Sequence, residues 1–274
     1  MAKKYRYELP EHPVDYGVPV KATDLKIEPE AQRTLNPTRA KAIAADIKPH
    51  ALGSIIVSQR QNGDLYIVDG QHRREACKIA GIETLMAEVH RGLTIQEEAT
   101  LFLIKNREAS KTNAHDEYRI GLTAGLPLFV DTEQVIASHS LKIGSTSSNQ
   151  IGAVQGILAI TDRYGPDVLD DVLTVAEDAY GRTAETWDGI IIGGLGEFIG
   201  RHRSVIDTPA ALDELARKMG KRSSAARLIG DARSFATGYG AKADGTGSRK
   251  MAAYRLIVED VWNKGRRKNR IEIH

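Results

Sequence analysis

The sequence predicts an α+β protein, with a small mixed α/β domain followed by a mostly α-helical C-terminal domain. Three observations predict this. Between residues 21 and 118, short β-branched runs alternate with stretches of helical period. After about residue 115 almost every segment has helical period, broken at Gly125, Gly144, Gly165, Gly181 and Gly220. Near the C-terminus a glycine-rich stretch and then a basic one replace both patterns. The expected organisation is an arm over 1–20, the α/β domain over 21–118, a helical domain over 119–236, and a glycine-rich loop with a basic helix or tail over 237–274.

The opening residues hold Pro10, Pro13 and Pro19 and are expected to be extended or irregular. Asp24–Ile27 alternates like a short strand. Asn36-Pro37-Thr38 reads as a helix start, with Ala40, Ile43, Ala44 and Ile47 at helical spacing. After Gly53, Ser54–Ser58 is a compact β-branched strand, Asn62-Gly63 the turn of a hairpin, and Leu65–Val68 the returning strand. Asp69-Gly70 opens a helix with Ala76, Ile79 and Ala80 facing inward, which stops at Gly81. Thr84–Val89 is a further strand, and Thr94 caps a helix containing Ala99, Leu101 and Phe102.

In the second half, helices are expected over Glu133–Ile143, Gln150–Ile160, Val168–Ala179, Ile190–Ile199 and Ala210–Met219. The first two, joined by Gly144–Asn149, could be a helix-turn-helix, but a plain helical hairpin fits the pattern better. The last stretch carries Arg249, Lys250, Arg255, Lys264, Arg266, Arg267, Lys268 and Arg270 against Glu259, Asp260 and Glu272.

Bulk numbers narrow the function classes. A chain of 274 residues with 41% hydrophobic and 27% charged content can bury a sizeable core. A net charge of +2 implies no partner by itself. Cys77 is the only cysteine, so there is no internal disulfide and no cysteine metal cluster. No run approaches the ~20 apolar residues of a membrane span, and no apolar run follows the basic Met1–Arg6. The expectation is a soluble cytoplasmic protein with no membrane partner.

The segment that carries chemistry is Asp69-Gly70-Gln71-His72-Arg73-Arg74. A glycine between strand and helix lets the backbone approach a ligand. The first amides of the helix point outward with the positive end of its dipole, which makes an anion site. His72, Arg73 and Arg74 add donors, and an arginine fork suits phosphate oxygens. Asp69 suits a metal ion, an arginine partner or a base on a hydroxyl.

Beyond this element, the run from Leu25 to about Arg119 resembles the ParB N-terminal superfamily, which includes sulfiredoxin, free-serine kinases and DGQHR proteins. Pro29 through Gln32-Arg33 is similar to the family's proline–glutamine–arginine box, with the spacing off by one. Ile67–Ala76 stands in place of the phosphate-binding Gly-Glu-Arg-Arg box, followed by Ala80-Gly81. Leu103-Ile104-Lys105-Asn106-Arg107 stands in place of the Glu-Asn-x-x-Arg box.

The resemblance implies a nucleotide site, for CTP or for ATP or ADP, with Mg²⁺. It assigns Gln32, Arg33, Gly70, Gln71, His72, Arg73, Arg74, Asn106 and Arg107 to the nucleotide, and Asp69 and Asn106 to the metal. It also implies DNA and a second copy of the chain as partners, in a phage, plasmid or bacterial setting. Gln71 replaces the sulfiredoxin cysteine, which removes thiol chemistry. Lys105 replaces the acidic residue before Asn106, which counts against nucleotide hydrolysis.

Three functions follow in order. The first is a nucleotide-binding, DNA-associated protein whose Arg266, Arg267, Lys268 and Arg270 neutralise DNA phosphates. The second is a phosphotransferase acting on a hydroxyl of a small molecule or modified base, with Glu30 or Asp69 as base and Glu28 as a further candidate. The third is a nuclease, for which the sequence offers no cluster of metal-binding carboxylates beyond Asp69. His50, His90, His115, His139 and His202 lack metal-site spacing, and Cys77, Trp187 and Trp262 read as packing residues.

Overall fold

A computed structural model describes residues 7–109, 113–238 and 246–273. The chain divides into two compact units, the first running to Leu126 and the second from Pro127 to the C-terminus. The α+β reading holds: the first unit is mixed α/β, and the second is almost entirely helical.

The α/β unit contains β1 (Val14–Lys21), β2 (Leu25–Lys26), α1 (Pro37–Ala45), β3 (Ile55–Gln59), β4 (Leu65–Asp69), α2 (Gln71–Ile79), β5 (Thr84–Arg91), α3 (Ile95–Ala109) and α4 (Ala114–Thr123). Its sheet has the order β1-β5-β3-β4-β2. β1 is antiparallel to β5, β5 parallel to β3, β3 antiparallel to β4, and β4 parallel to β2. The central strand β3 is apolar on both faces and fully enclosed over Ile55–Ser58, as a strand covered on both sides must be. One face buries Val20, Leu25, Ile55, Val57, Ile67, Leu85, Ala87 and Val89 with Cys77 of α2.

Four local expectations are corrected. Residues 14–21, read as part of an irregular arm, form the edge strand β1; Pro19 is tolerated there because an edge strand has one unpaired side. The strand expected over Asp24–Ile27 shrinks to the two residues of β2. Ile79 is 51% exposed and Ala80 is exposed, because the buried face of α2 runs through Ala76 and Cys77 instead. Thr94 does cap α3: its hydroxyl accepts the Glu97 N–H while the Glu97 carboxylate accepts the Thr94 N–H at 2.7 Å, a capping box.

The helical unit contains α5 (Pro127–Ser138), β6 (Lys142–Ile143), β7 (Gln150–Ile151), α6 (Val154–Tyr164), α7 (Pro166–Tyr180), α8 (Gly189–Arg201), α9 (Pro209–Arg222), α10 (Ala225–Gly238) and α11 (Thr246–Leu256). α11 runs on into a π-helical turn over Ile257–Trp262. The fourth correction falls here: the two helices expected over 133–160 are separated by the parallel β6–β7 pair, so no helix-turn-helix forms there. Helix α8 is the axis of the unit, buried at every position from Ile190 to Ile199. Its glycines let neighbours approach closely, since a Cβ at Gly194 would stand 2.7 Å from the Ala253 Cβ of α11.

One charge is buried on this axis. Glu197 accepts Lys250 Nζ at 2.6 Å, Arg201 Nε at 2.7 Å and the Tyr164 hydroxyl at 3.0 Å. Burial raises its pKa, but Lys250, Arg201 and Tyr164 outweigh this and bring it down to about 2. No helix among the described residues is long and apolar enough to cross a membrane. Most of the glycine-rich stretch over 237–248 lies outside the described residues.

Candidate functional site

β4 delivers the chain to Gly70, which caps α2 in a left-handed conformation (φ 106°). Two facts require glycine here. An L side chain is strained at this φ, and a Cβ would lie 2.4 Å from Ile55 Cγ2. The first intrahelical bond of α2 runs from Arg74 N–H to the Gly70 carbonyl at 2.9 Å. The amides of Gln71, His72 and Arg73 therefore have no acceptor within the helix and open outward at its positive end.

The start of α1 lies at the same mouth. Asn36 caps α1 by accepting the Arg39 N–H at 3.1 Å, and its own backbone N–H donates to His72 Nε2 at 3.1 Å. That bond places the ring proton of neutral His72 on Nδ1. His72 is buried, and burial, followed by the charges of Arg33 and Arg39, holds its pKa below the usual histidine value; Asp69 pulls weakly the other way. Among the described residues neither the Arg33 nor the Arg39 guanidinium has a carboxylate or hydrogen-bond partner. Two cations without counter-charge thus face a neutral imidazole where two helices begin.

The loop that presents Arg33 is rigidly held. The buried Gln32 amide donates to the Ile67 and Val68 carbonyls of β4, at 3.0 and 2.5 Å. Arg119 of α4 donates to the carbonyls of Pro29 and Glu30, at 2.5 and 2.9 Å, and to that of Gln32. Beside the mouth, the Gln71 side-chain oxygen is enclosed without a donor among the described residues.

The motif's two arginines have other partners. Arg73 donates to the Leu52 and Ser54 carbonyls at 3.1 and 2.8 Å and to Asp69 at 2.8 Å, fixing the loop before β3 against the end of β4. Arg74 donates to the Ala22 and Leu25 carbonyls, both at 3.0 Å, stapling the β1–β2 connection to α2. Of the acidic candidates, Asp69 pairs with Arg73, Glu28 pairs with Arg60 at 3.2 Å, and Glu30 is exposed. Asn106 is buried and donates to the Phe102 carbonyl one turn earlier, while Lys105 lies 3.9 Å from Glu88. The Arg107 side chain lies outside the described residues. Among the described residues no three His, Cys, Asp or Glu side chains are grouped to hold a metal.

Sequence reasoning missed Arg39 and the structural use of Arg119. Arg39 could have been found, because Asn36-Pro37 marks a helix start and a cation three residues on stands at that same end.

In the helical unit, residues 263–271 form a closed loop. Asn263 Nδ2 donates to the Ile271 carbonyl at 2.7 Å and Ile271 N–H returns a bond to Asn263 Oδ1 at 2.9 Å. Trp262 Nε1 donates to the Asn269 carbonyl at 3.0 Å. Arg266 stacks on the Trp262 ring, 3.6 Å from its centroid, and pairs with Glu214. Arg267, Lys268 and Arg270 are exposed.

The arrangement defines a two-part protein, an α/β unit in which α1 and α2 begin at one mouth beside Arg33, Arg39 and His72, and a helical unit with a basic loop. The chain belongs to the family described as "Family of unknown function (DUF6551)", whose model matches residues 29–219. No curated protein matches it. Similar solved structures include the C-terminally truncated chromosome-partitioning protein ParB from Caulobacter crescentus complexed with CTP-gamma-S. That likeness has 20% identity, covers 56% of this chain and 96% of that one, and has a TM-score of 0.29. The same Caulobacter crescentus protein complexed to the centromeric parS site gives 17% identity, 56% and 89% coverage, and 0.30. A Pnob8-like ParB-N domain gives 14% identity, 91% and 98% coverage, and 0.37.

Proposed function

We propose that the α/β unit binds the phosphates of a nucleotide at the shared mouth of α1 and α2, and that the chain is a nucleotide-binding, DNA-associated protein. The observation that supports this most directly is the pair Arg33 and Arg39, both without a carboxylate partner among the described residues, set against neutral His72. An anion in the mouth would receive the two guanidinium groups, the His72 Nδ1–H and the amides at the start of α2. Gly70 lets the phosphate come close to the backbone. Arg73 and Arg74 act as struts that keep the mouth open, with Gln32 and Arg119 holding the opposite wall. The enclosed Gln71 oxygen fits a hydroxyl or amine donor of the same ligand.

The test is calorimetric titration of CTP, ATP, ADP and GTP with Mg²⁺ into the wild type, Arg33→Ala and Arg39→Ala, with and without duplex DNA. Each lost charge-assisted contact contributes roughly 1.5–3 kcal/mol, so each variant should bind about 10- to 100-fold more weakly. Equal affinity in wild type and both variants would remove the mouth from consideration.

A further inference from the structure

The basic C-terminal stretch reads in the sequence as a tail, but the structure makes it a rigid surface. The two-way amide bond between Asn263 and Ile271 closes the loop at its base, Ile271 is buried, and Trp262 holds its middle through the Asn269 carbonyl. The loop turns at Gly265 and Asn269, both at positive φ. Lys264, Arg267, Lys268 and Arg270 are all exposed, and each lies within four residues of a closed end. At ~3.3–3.6 Å per residue none can stray more than about 14 Å from it. Among the described residues none of these four cations has a carboxylate partner.

Lys264 also lines a cavity of about 550 Å³ together with Arg222, Ser223, Ser224, Arg227, Asp231 and Asp260. This cavity lies at the two-residue turn joining α9 to α10. Arg222 answers both carboxylates, Asp260 at 2.7 Å and Asp231 at 3.4 Å. Counting loop and cavity together, seven cations (Arg222, Arg227, Lys264, Arg266, Arg267, Lys268 and Arg270) stand against four carboxylates (Glu214, Asp231, Asp260 and Glu272), a local excess of three that exceeds the +2 of the whole chain. Such an excess, on a loop closed at both ends, suits a partner with evenly spaced negative charge.

We infer that the loop over 264–270 and the α9–α10 turn form one surface that grips the phosphate backbone of a DNA duplex. Lys264, Arg267, Lys268 and Arg270 take phosphates, and the start of α10 with Arg227 lies against the same strand. Arg266 takes no part; stacked on Trp262 and paired with Glu214, it is the strut that holds the loop to α9. The inference rests on the DNA-association part of the reading above and goes beyond it by treating the cations as a preformed surface rather than a mobile tail.

The experiment is fluorescence anisotropy with a labelled duplex over a range of salt concentrations. It uses the full chain, the variant Arg267→Ala/Lys268→Ala/Arg270→Ala, the variant Asn263→Ala, and Lys21→Ala/Lys142→Ala as a charge control. Each phosphate contact contributes about 0.9 to the slope of log affinity against log salt. The triple variant should lose at least tenfold in affinity, with a slope smaller by about 3, while the control stays within twofold. Asn263→Ala keeps every charge but frees the loop, so affinity should fall several-fold with the slope unchanged.

A triple variant that binds like the wild type would overturn the inference and leave DNA association itself standing. An unaffected Asn263→Ala would restore the mobile tail. A wild type without salt-sensitive affinity for DNA would sink both the inference and the reading on which it rests. Equal binding of polyglutamate would point to an acidic protein partner and overturn the assignment to DNA.

Discussion

Replacing Glu197 by Gln tests whether the buried charge cluster holds the helical unit together. Glu197 is 5% exposed on its side chain, and its pKa of about 2 lies well under the carboxylate's ordinary 4.5. At 1.36 kcal/mol per pKa unit the ionised form contributes about 3 kcal/mol of stability at pH 7. The gap appears because Lys250, Arg201 and Tyr164 all lie within hydrogen-bond distance of a group shielded from water. A carboxylate with a lowered folded pKa contributes fully above its unfolded value and loses that contribution as pH falls through the folded value. Stability should thus begin to drop below about pH 4.5, with roughly half of the contribution gone near pH 3 and most of it near pH 2. Trp187 and Trp262 are the only tryptophans in the chain and both are buried in this unit, so their emission in a urea titration reports on it alone. Glu197→Gln should lower stability by about 3 kcal/mol at pH 7, and the difference from wild type should close toward pH 2. A difference under about 1 kcal/mol at pH 7, or one constant from pH 5 to 3, would refute the reasoning.

Gly70→Ala should cost about 3 kcal/mol or more from backbone strain and overpacking against Ile55, read as lost hydrogen-exchange protection in β3 and α2; unchanged protection would count against it. Gly230 lies exposed in the middle of α10 with nothing within 4 Å of an added Cβ, so Gly230→Ala should stabilise the unit by about 0.5–1 kcal/mol in the same tryptophan assay. His72 has its pKa pushed down by burial and by Arg33 and Arg39, so its neutral form supports the fold above the ordinary value of about 6.5, and that support is lost as pH falls below this value and through the lowered folded one. Because charging His72 breaks its bond from the Asn36 N–H, nucleotide affinity should decline on acidification; an affinity that rises instead would mean that the imidazolium is the phosphate ligand.

What the sequence revealed and what it hid follow from the range of the interactions. β3, β4, β5 and the start of α2 were legible because short β-branched runs, an Asn-Gly turn and a strand-ending glycine are all local signals. β1 was hidden behind Pro13 and Pro19, since a proline breaks a central strand but not an edge, and the sequence does not say which strand is at the edge. β6 and β7 are two residues each and leave no periodic trace between the helices they separate. The mouth was half visible for the same reason. Gly70 and His72 are neighbours in sequence, whereas Arg39 reaches them only because α1 and α2 begin side by side, a placement fixed by the bond from Asn36 to His72. Neighbouring arginines cannot be told apart until the carbonyls that lack donors are known. Arg73 and Arg74 are bound to Leu52, Ser54, Ala22 and Leu25, and Arg266 is stacked on Trp262, while Arg33, Arg39, Arg267 and Arg270 are left with charge to offer. A basic motif thus names the cations near a site, but the fold decides which of them are already satisfied, and the unsatisfied ones are where a phosphate would bind.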